Sequence, residues 1–402
     1  MRLAIIGDDS LPHSTLVHAK MLHELAVYYK NIGDDPVIIS PGRTDQSDKL
    51  VVDEIDGITY WRFRSGKLRG QGKLKRAINE TLLSIKAWFA IRSEIKQQKF
   101  DGVVYYSPSI FFGYLAYKIK KASQCRSYLI LRDMFPQWAI DEGLIKQGSF
   151  IEKYFRFFEH LNYSSADCIG LMSPKNLELF EAFNGDKYNT EVLYNWADAN
   201  AFPSKKQMFG LRDKFNLKDK VIFFYGGNIG HAQDMGNLLR LADAMKPIEN
   251  AYFVFLGQGD EVDLVKKTIK RNALSNCSFL PSVTQDEYKL ILNEIDVGLF
   301  SLSAKHTAHN FPGKLLGYMV HSLPILGSVN KGNDLIDVLH EAQAGTILNN
   351  GDDQGFYESA KELATNTLLR KQVGQNANKL LLEQFSVDSA ASQILISLTN
   401  RE

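Results

Sequence analysis

The sequence has few cysteines, almost no net charge and no long run of apolar residues. Its three cysteines, Cys125, Cys168 and Cys277, lack CxxC or CxxH spacing, which excludes a zinc site or disulfide framework of the usual kind. Because 47 basic side chains balance 46 acidic ones, a bulk nucleic-acid binder is also excluded. No apolar stretch reaches the roughly 18 residues of a bilayer-spanning helix, and the apolar residues 3–6 meet Asp8 too early for a signal-peptide core. The sequence therefore predicts a cytoplasmic protein, and no metal site is expected.

What the chain does have is a regular alternation of short apolar runs and amphipathic helical patterns. Continuously apolar runs are typical of strands buried on both faces, so the pattern predicts an α/β fold with doubly wound parallel sheets. Twelve strands are predicted, at residues 3–6, 37–39, 102–106, 128–131, 168–172, 192–194, 221–225, 252–256, 278–280, 297–300, 325–327 and 345–347. The length of 402 residues suits two domains, predicted at 1–200 and 201–385. The amphipathic segment 386–402 either packs on its own domain or returns to the first one.

Three glycine-containing turns follow predicted strands, at residues 7–10, 226–230 and 257–260. Glycine lets the backbone approach a phosphate closely and present its N–H groups. None of the three turns is a P-loop or a clean G-x-G-x-x-G motif. Each glycine can instead serve a tight turn, but two such turns in one domain favour a ligand that carries phosphate.

The ordered motifs of the second domain resemble those of the family 4 glycosyltransferases. They are Tyr-Gly-Gly-Asn-Ile-Gly at 225–230, Phe-Val-Phe-Leu-Gly-Gln-Gly-Asp at 253–260, Ser-Phe-Leu-Pro-Ser-Val at 278–283, Ile-Asp-Val-Gly-Leu at 295–299 and Phe-Pro-Gly-Lys-Leu-Leu-Gly-Tyr-Met at 311–319. In the first domain, Leu-Arg-Asp-Met-Phe-Pro-Gln-Trp at 131–138 and Leu-Tyr-Asn-Trp-Ala-Asp at 193–198 resemble the subgroup that builds bacterial surface polysaccharides. Within that subgroup the chain is most similar to the O-antigen and capsule N-acetyl-L-fucosamine transferases.

The resemblance implies a GT-B fold, in which two Rossmann-like domains with parallel sheets face a central cleft. It implies that domain 201–385 holds a UDP-sugar and that domain 1–200 holds a sugar acceptor linked to polyprenyl diphosphate. The implied reaction adds N-acetylfucosamine or a related N-acetylated sugar during O-antigen, lipopolysaccharide or capsule biosynthesis. It is expected to proceed with retention and without a metal or other cofactor. The enzyme is expected at the inner face of the cytoplasmic membrane as a peripheral protein, with no nucleic-acid partner.

Such a reaction requires groups that stabilise the negative charge developing on the pyrophosphate leaving group. Lys314 opens a helical pattern after Gly313 and is the predicted catalytic cation. Its alternative role is that of a solvated surface lysine. The other residues predicted to bind the donor are Gly227, Asn228, Gly257, Gly259, Val283, Lys305 and His309.

The chain departs from the family pattern at three positions. Two glutamates that the family carries eight residues apart fall on His309 and Gly317, and the usual cationic position after the glycine loop is His231. Lys305 or Arg132 is a candidate to compensate for the missing cation. These departures support two alternatives, which are a catalytically silent nucleotide-sugar-binding partner subunit and a UDP-sugar epimerase.

In the first domain, Asp9 and Asp133 are the predicted catalytic carboxylates, because each follows a predicted strand. Asp9 is expected to contact an acceptor hydroxyl or act as its base, or else to cap the helix that follows. Asp133 is expected to support the reacting sugar or acceptor, or else to pair with Arg132. His18 and His23 lie five residues apart, a spacing that does not fit a metal pair on one helix face.

One charge asymmetry lies between Asp56 and Glu80, where the chain has basic residues and no acid. The helical pattern that follows contains a tryptophan. Basic residues beside such a helix predict contact with an anionic membrane on the acceptor side of the molecule. The predicted contact residues are Arg62, Arg64, Arg69, Lys73, Lys75, Arg76 and Trp88, with the aromatic stretch 151–158 in addition. The alternative is an exposed flexible loop followed by an ordinary core helix.

Overall fold

The computed structural model describes residues 1–12, 14, 17–66, 72–107, 109–199, 207–305 and 311–399, with the side chains of residues 73–76 excepted. The chain divides into two compact units. It leaves the first unit after Asn195 and returns to it at Val387, and the second unit runs from Trp196 to Ser386. These transitions lie within a few residues of the positions 200 and 385 at which the sequence places its boundaries.

The first unit is built on an eight-stranded sheet with the order β3-β4-β2-β1-β5-β6-β7-β8. Its strands are β1 (Arg2–Ile6), β2 (Asp35–Pro41), β3 (Leu50–Ile55), β4 (Ile58–Phe63), β5 (Gly102–Ser107), β6 (Arg126–Leu131), β7 (Cys168–Leu171) and β8 (Thr190–Val192). Its first seven helices are α1 (Val17–Asn31), α2 (Lys73–Thr81), α3 (Leu83–Gln97), α4 (Gly113–Ser123), α5 (Gln137–Asp141), α6 (Phe150–Ser164) and α7 (Pro174–Asn184). Strands β1, β5 and β6 are apolar and buried along almost their whole length, as expected for central parallel strands covered on both faces.

The hairpin β3–β4 was not predicted from the sequence. Its two strands pair antiparallel, whereas every other pairing in this sheet is parallel. The turn between them is Asp56-Gly57, and both residues have positive φ angles, 51° and 74°. An Asp-Gly pair is the usual signal for such a turn. The acidic residues of β3 interrupt its apolar pattern, so the sequence did not predict this edge strand.

The second unit is built on a six-stranded sheet with the order β11-β10-β9-β12-β13-β14, parallel throughout. Its strands are β9 (Val221–Asn228), β10 (Ala251–Gln258), β11 (Cys277–Pro281), β12 (Val297–Ser301), β13 (Ile325–Val329) and β14 (Gly345–Asn349). Its helices are α8 (Leu211–Lys214), α9 (Met235–Ala244), α10 (Val262–Arg271), α11 (Gln285–Leu292), α12 (Lys314–Val320), α13 (Leu335–Glu341), α14 (Asp353–Thr365) and α15 (Thr367–Leu380). All six strands coincide with those predicted from the second half of the sequence.

The last helix, α16 (Val387–Thr399), packs on the first unit. The hydroxyl of Tyr29 donates to the carbonyl of Ala391 at 3.2 Å, and the amide of Gln393 donates to the carbonyl of Val192 at 2.7 Å. Of the two arrangements that the sequence left open for this segment, the structure therefore has the return to the first unit.

In each sheet the strand order reverses beside the first strand of the unit. Strand β1 lies between β2 and β5, and β9 lies between β10 and β12. In open α/β sheets, ligands bind outside the carboxyl ends of the strands at such a reversal. We call the carboxyl ends of β1, β5 and β6 the first edge, and those of β9, β10 and β12 the second edge.

Candidate functional site

The glycines of the second edge allow the ends of β9 and β10 to approach closely. Gly227 and Gly257 are register partners, with φ angles of 135° and 154°. A Cβ atom on Gly257 would lie 1.8 Å from the carbonyl oxygen of Gly227, and one on Gly259 would lie 2.2 Å from that of Ile229. Backbone packing is thus sufficient to require glycine at 257 and 259, and their predicted contact with a donor stays a prediction.

Lys314 lies at the centre of the second edge. It is the first residue of α12, and its Nζ lies 3.6 Å from the centre of the Tyr225 ring. A Cβ atom on Gly227 would be 3.4 Å from that Nζ, so the glycine turn and the lysine face each other. The Lys314 side chain is half-buried, and desolvation lowers its pKa to about 7. It forms no ion pair with a carboxylate of any residue that the structure describes.

Three tyrosines that the sequence did not indicate surround this lysine and the nearby strand ends. The hydroxyl of Tyr318 donates to the carbonyls of Phe224 and Leu299, each at 3.1 Å. Burial raises the pKa of Tyr225 and of Tyr288 well above the usual value, so both stay neutral. These tyrosines therefore give the ammonium group polarisable, uncharged neighbours.

The loop after β9 carries two exposed polar side chains. The amide of Asn228 donates to Gln233 Oε1 at 2.8 Å. His231 takes the place of the cation expected in the family, and its ring lies 2.9 Å from Glu261 and 3.5 Å from Asp260. Asn228 is thus accessible at the second edge, whereas His231 is held by two acids.

The remaining donor predictions lie around the same edge. Lys305 is exposed in the loop after β12, and Val283 is half-buried in the turn before α11. His309 lies outside the described residues. Gly317 lies in α12, where a Cβ atom would be 3.2 Å from Leu292 Cδ1, so close packing favours a small residue at this position.

At the first edge, Asp8 contacts a histidine of α1. Its Oδ1 lies 3.0 Å from Nε2 of His18 on α1, and the His18 ring stacks on Tyr106 at a centroid distance of 5.1 Å. Asp9 instead accepts a hydrogen bond from the backbone N–H of Ser10 at 2.9 Å. Because α1 begins at Val17, Asp9 does not cap that helix, and its predicted catalytic role stays a prediction.

Arg132 and Asp133 follow β6 at the first edge, and each contacts other side chains. The guanidinium of Arg132 donates to Asn195 Oδ1 at 2.7 Å and to the carbonyl of Tyr194 at 3.2 Å. Arg132 therefore ties β6 to the segment that leaves the first unit. Desolvation raises the pKa of Asp133 to about 6, and a hydrogen bond from Trp138 opposes that rise.

The predicted membrane contact is wrong at Arg62. This residue lies in β4 and is only 6% exposed, because its guanidinium donates to Asp53, to Ser10 Oγ and to the carbonyl of Leu11. Trp88 is half-buried against the core. Arg64 is exposed, whereas Arg69 and the side chains of Lys73, Lys75 and Arg76 lie outside the described residues.

Among the described residues, no helix is long and apolar enough to cross a bilayer, and no three histidine, cysteine or acidic side chains group as a metal site.

Comparison with known proteins relates both the sequence and the fold to sugar transferases. Residues 189–380 match the family described as glycosyl transferases group 1. WbjE of Pseudomonas aeruginosa, named as a glycosyltransferase, is 26% identical over 218 residues, 54% of each chain. WcaI of Escherichia coli K12, named as a colanic acid biosynthesis glycosyl transferase, is 23% identical over 246 residues, 60% of each chain. The chain thus spans between about half and three fifths of the length of these curated relatives.

The solved structure of Anabaena HepE in complex with UDP and glucose is similar over 99% of both chains, with a TM-score of 0.68 and 14% identity. At that identity the likeness concerns the fold alone. The α/β fold with parallel sheets, of the GT-B type, is confirmed.

Proposed function

We propose that this chain, which has the GT-B fold, transfers a sugar from a nucleoside diphosphate donor during bacterial polysaccharide biosynthesis. The premise is the match of residues 189–380 to the glycosyl transferases group 1. The proposal is carried by Lys314, a desolvated cation without a carboxylate partner among the described residues, at the strand-order reversal of the second unit.

A desolvated ammonium group without a counter-ion is costly, and a bound anion removes that cost. A pyrophosphate is such an anion. Lys314 is positioned to bind it, together with the backbone of the Gly227 turn and the exposed amide of Asn228. As the anomeric carbon–oxygen bond breaks, the electron pair stays on the phosphate oxygen, and a fixed ammonium stabilises that charge.

The proposed donor is a UDP-sugar, with N-acetylfucosamine or a related N-acetylated sugar as the group transferred. Support comes from the motif resemblance of residues 225–319 and from HepE, which was solved with UDP and glucose. We further propose that transfer is retaining and needs no metal, as the same resemblance implies. Tyr318 lies in α12 and Tyr288 lies in α11, and burial keeps both hydroxyls neutral.

The proposed acceptor is a sugar on a polyprenyl diphosphate, reached from the membrane surface. Support comes from exposed apolar side chains of α3 and α6, which we call the aromatic face: Ile85, Phe89, Phe150, Ile151, Tyr154 and Phe157. Phe150 is 88% exposed and Phe157 is 62% exposed, and the hydroxyls of Thr81 and Tyr154 meet, so α6 lies beside α2. Exposed aromatic groups of this size are typical of surfaces that bind a partner or a lipid headgroup region.

Charge favours an anionic bilayer as the occupant of this aromatic face. Residues 64–99, which contain α2 and α3, have ten basic side chains and two acidic ones in a chain of net charge +1. The Lys153 ammonium lies 5.9 Å from the Phe150 ring centre, and the Arg92 guanidinium lies 4.7 Å from that of Phe89. Interleaved cations and aromatic rings match the headgroup layer of an anionic membrane.

Vesicle sedimentation tests this surface. The protein is expected to bind phosphatidylglycerol vesicles and not phosphatidylcholine vesicles, and Phe150→Ser with Phe157→Ser is expected to weaken that binding several-fold. Phe183→Ser is the matched control, because Phe183 is 60% exposed on α7 and outside the aromatic face. Equal binding by the double variant and the control would contradict the membrane contact.

Incubation of the protein with a panel of UDP- and GDP-sugars tests the reaction itself, with undecaprenyl-diphosphate sugars as acceptors and mass spectrometry as the readout. We expect transfer from a UDP-sugar to a lipid-linked acceptor. The motif departure at Gly317 favours a second candidate, a silent nucleotide-sugar-binding subunit. Binding of a UDP-sugar without turnover on any acceptor would support that subunit, and conversion of a UDP-sugar without acceptor would support an epimerase.

A further inference from the structure

Six aromatic side chains form a continuous row along α6 and the segment that contains α5. In order of contact they are Trp138, Phe135, Phe155, Tyr154, Phe158 and Phe157, and we call them the aromatic row. The centres of successive rings are 4.8 to 6.0 Å apart, which is the spacing of aromatic pairs in contact. Every ring of the row is at least partly exposed, whereas Phe111, which packs beneath Phe155 and Phe158, is only 6% exposed. The row is therefore an apolar strip on the surface, supported by a buried ring.

Polar contacts between α5 and α6 hold the row in place. The guanidinium of Arg156 on α6 donates to Gln137 Oε1 on α5 and, at 2.8 Å, to Glu159 Oε2. Because these contacts fix α5 against α6, the rings of the two segments are already together before a ligand binds. A surface that is organised in advance loses little conformational freedom on binding, so it binds an apolar ligand more tightly than a mobile one does.

The two ends of the row lie in different surroundings. At one end, the indole N–H of Trp138 donates to the carboxylate of Asp133, which follows β6 at the first edge. The Trp138 ring itself is 40% exposed. At the other end, Phe157 is 62% exposed and belongs to the aromatic face. The row therefore joins the first edge to the surface proposed to contact the membrane.

Positive charge lies beside the row. Helix α2 meets the row at Tyr154, because the hydroxyls of Thr81 and Tyr154 are in contact. The sequence of α2 has three basic residues and one acidic residue. An apolar strip flanked by positive charge is complementary to an amphiphile that has a long apolar chain and an anionic group. A polyprenyl diphosphate is such a molecule, whereas a free sugar has no apolar chain.

We propose that the aromatic row binds the isoprenoid chain of the lipid-linked acceptor, in the part of that chain next to the diphosphate. This inference rests on the proposed function, because it takes the acceptor to be carried on a polyprenyl diphosphate. The isoprenoid chain then lies along a fixed strip of protein as it leaves the bilayer, and the strip ends at the first edge. The row selects lipid-linked acceptors over free sugars, since only a lipid chain buries apolar surface on it.

Titration calorimetry with soluble isoprenyl diphosphates tests the row without a membrane. The probes are inorganic pyrophosphate, geranyl diphosphate and farnesyl diphosphate, with excess UDP present to occupy the second edge. We expect farnesyl diphosphate to bind about tenfold more tightly than geranyl diphosphate, because its additional isoprene unit buries apolar carbon on the row, and pyrophosphate to bind most weakly. Contact with a bilayer alone predicts no dependence on chain length in solution. Equal affinity for the two isoprenyl diphosphates would therefore overturn the proposal.

Two substitutions of Trp138 separate its ring from its N–H group. Trp138→Phe keeps an aromatic ring and loses the hydrogen bond to Asp133, whereas Trp138→Gln keeps an N–H donor and loses the ring. We expect Trp138→Phe to preserve the preference for farnesyl over geranyl diphosphate, and Trp138→Gln to reduce it several-fold. A role of Trp138 only through Asp133 predicts the reverse order. Phe183→Ser is the matched control, since Phe183 is 60% exposed on α7 and outside the row.

Further outcomes distinguish the row from other uses of the same surface. If light scattering shows a dimer of the wild-type protein that Trp138→Gln dissociates, the row is an interface between two copies of the chain, and the proposal is overturned. Binding of farnesyl diphosphate with the expected preference, but without transfer in the panel of UDP- and GDP-sugars, would support the row and overturn the proposed reaction. Transfer to an undecaprenyl-linked acceptor without any preference for chain length in the titration would support the reaction and overturn the row.

Discussion

The two edges have the same strand topology and opposite charge. At the second edge Lys314 lies beside Tyr225, with no carboxylate partner among the described residues. At the first edge, Asp8 lies 3.0 Å from His18, and Asp133, which follows β6, is buried enough for desolvation to raise its pKa. Since the strand order reverses in the same way in both sheets, the fold alone does not distinguish the ligands. The side chains do, since the second edge carries a desolvated cation and the first edge carries two acids.

Desolvation acts on both edges and shifts the pKa values in opposite directions. It lowers the pKa of Lys314 to about 7 and raises that of Asp133 to about 6. In both cases burial disfavours the charged form, and no opposite charge compensates for it. Both groups therefore ionise close to neutral pH, where small changes in occupancy by a ligand alter their charge.

Replacement of Lys314 by Met is the change with the largest expected effect on this comparison. We expect transfer to fall at least about a hundredfold, the usual loss when one stabilising group is removed from a charged transition state. We also expect the melting temperature at pH 7 to rise. The lysine's folded pKa is depressed below its unfolded value, so its burial cost is present at neutral pH and is relieved only as the pH rises. Turnover assays and calorimetry measure the two effects.

Lys267→Met serves as the control for Lys314→Met, because Lys267 is exposed on α10 in the same unit. It is expected to change neither quantity. A fall in both activity and melting temperature for Lys314→Met would show that the lysine is structural and would remove the charge contrast between the edges.

The pH dependence of donor binding tests the cation of the second edge, and its expected effect is smaller than that of Lys314→Met. Titration calorimetry with the UDP-sugar that supports turnover is expected to show affinity that is highest below pH 7 and weakens by up to about tenfold per pH unit above it, as Lys314 loses its proton. The diphosphate of a UDP-sugar does not titrate in this range. Constant affinity between pH 6 and pH 8.5 would exclude contact between Lys314 and the diphosphate, and Lys314→Met is expected to show that constancy.

Sequence reasoning predicted much of the second unit and less of the first. All six strands of the second sheet were found, since each is a short apolar run, and Lys314 was found because it follows Gly313 at the start of a helical pattern. In the first sheet, the acids of β3 concealed a hairpin. Arg62 was therefore taken for a surface residue, although it lies in β4 beneath the loop that contains Ser10.

The parts of the site that sequence reasoning missed depend on contacts between distant segments. Tyr225, Tyr288 and Tyr318 lie on a strand and on two helices that only tertiary packing brings together. Asp8 and His18 are ten residues apart, a separation from which their contact does not follow. In each case the contacts that mark a residue as functional exist only in the folded protein, so the sequence does not show them.

Asp133→Asn is the change with the smallest expected effect. It tests whether the first edge, unlike the second, depends on an acidic group. The folded pKa of Asp133, about 6, lies above its unfolded value. The protonated carboxyl group therefore contributes stability at low pH, and this contribution is lost as the pH rises through about 6. We expect Asp133→Asn to raise the melting temperature slightly at pH 7.5 and to leave it unchanged at pH 3. If the carboxylate also contacts the acceptor, kcat/KM for the acceptor falls in the wild type below pH 6, and this fall is absent in the variant. A variant that keeps the same acidic limb in its pH–rate profile would assign that limb to a group other than Asp133.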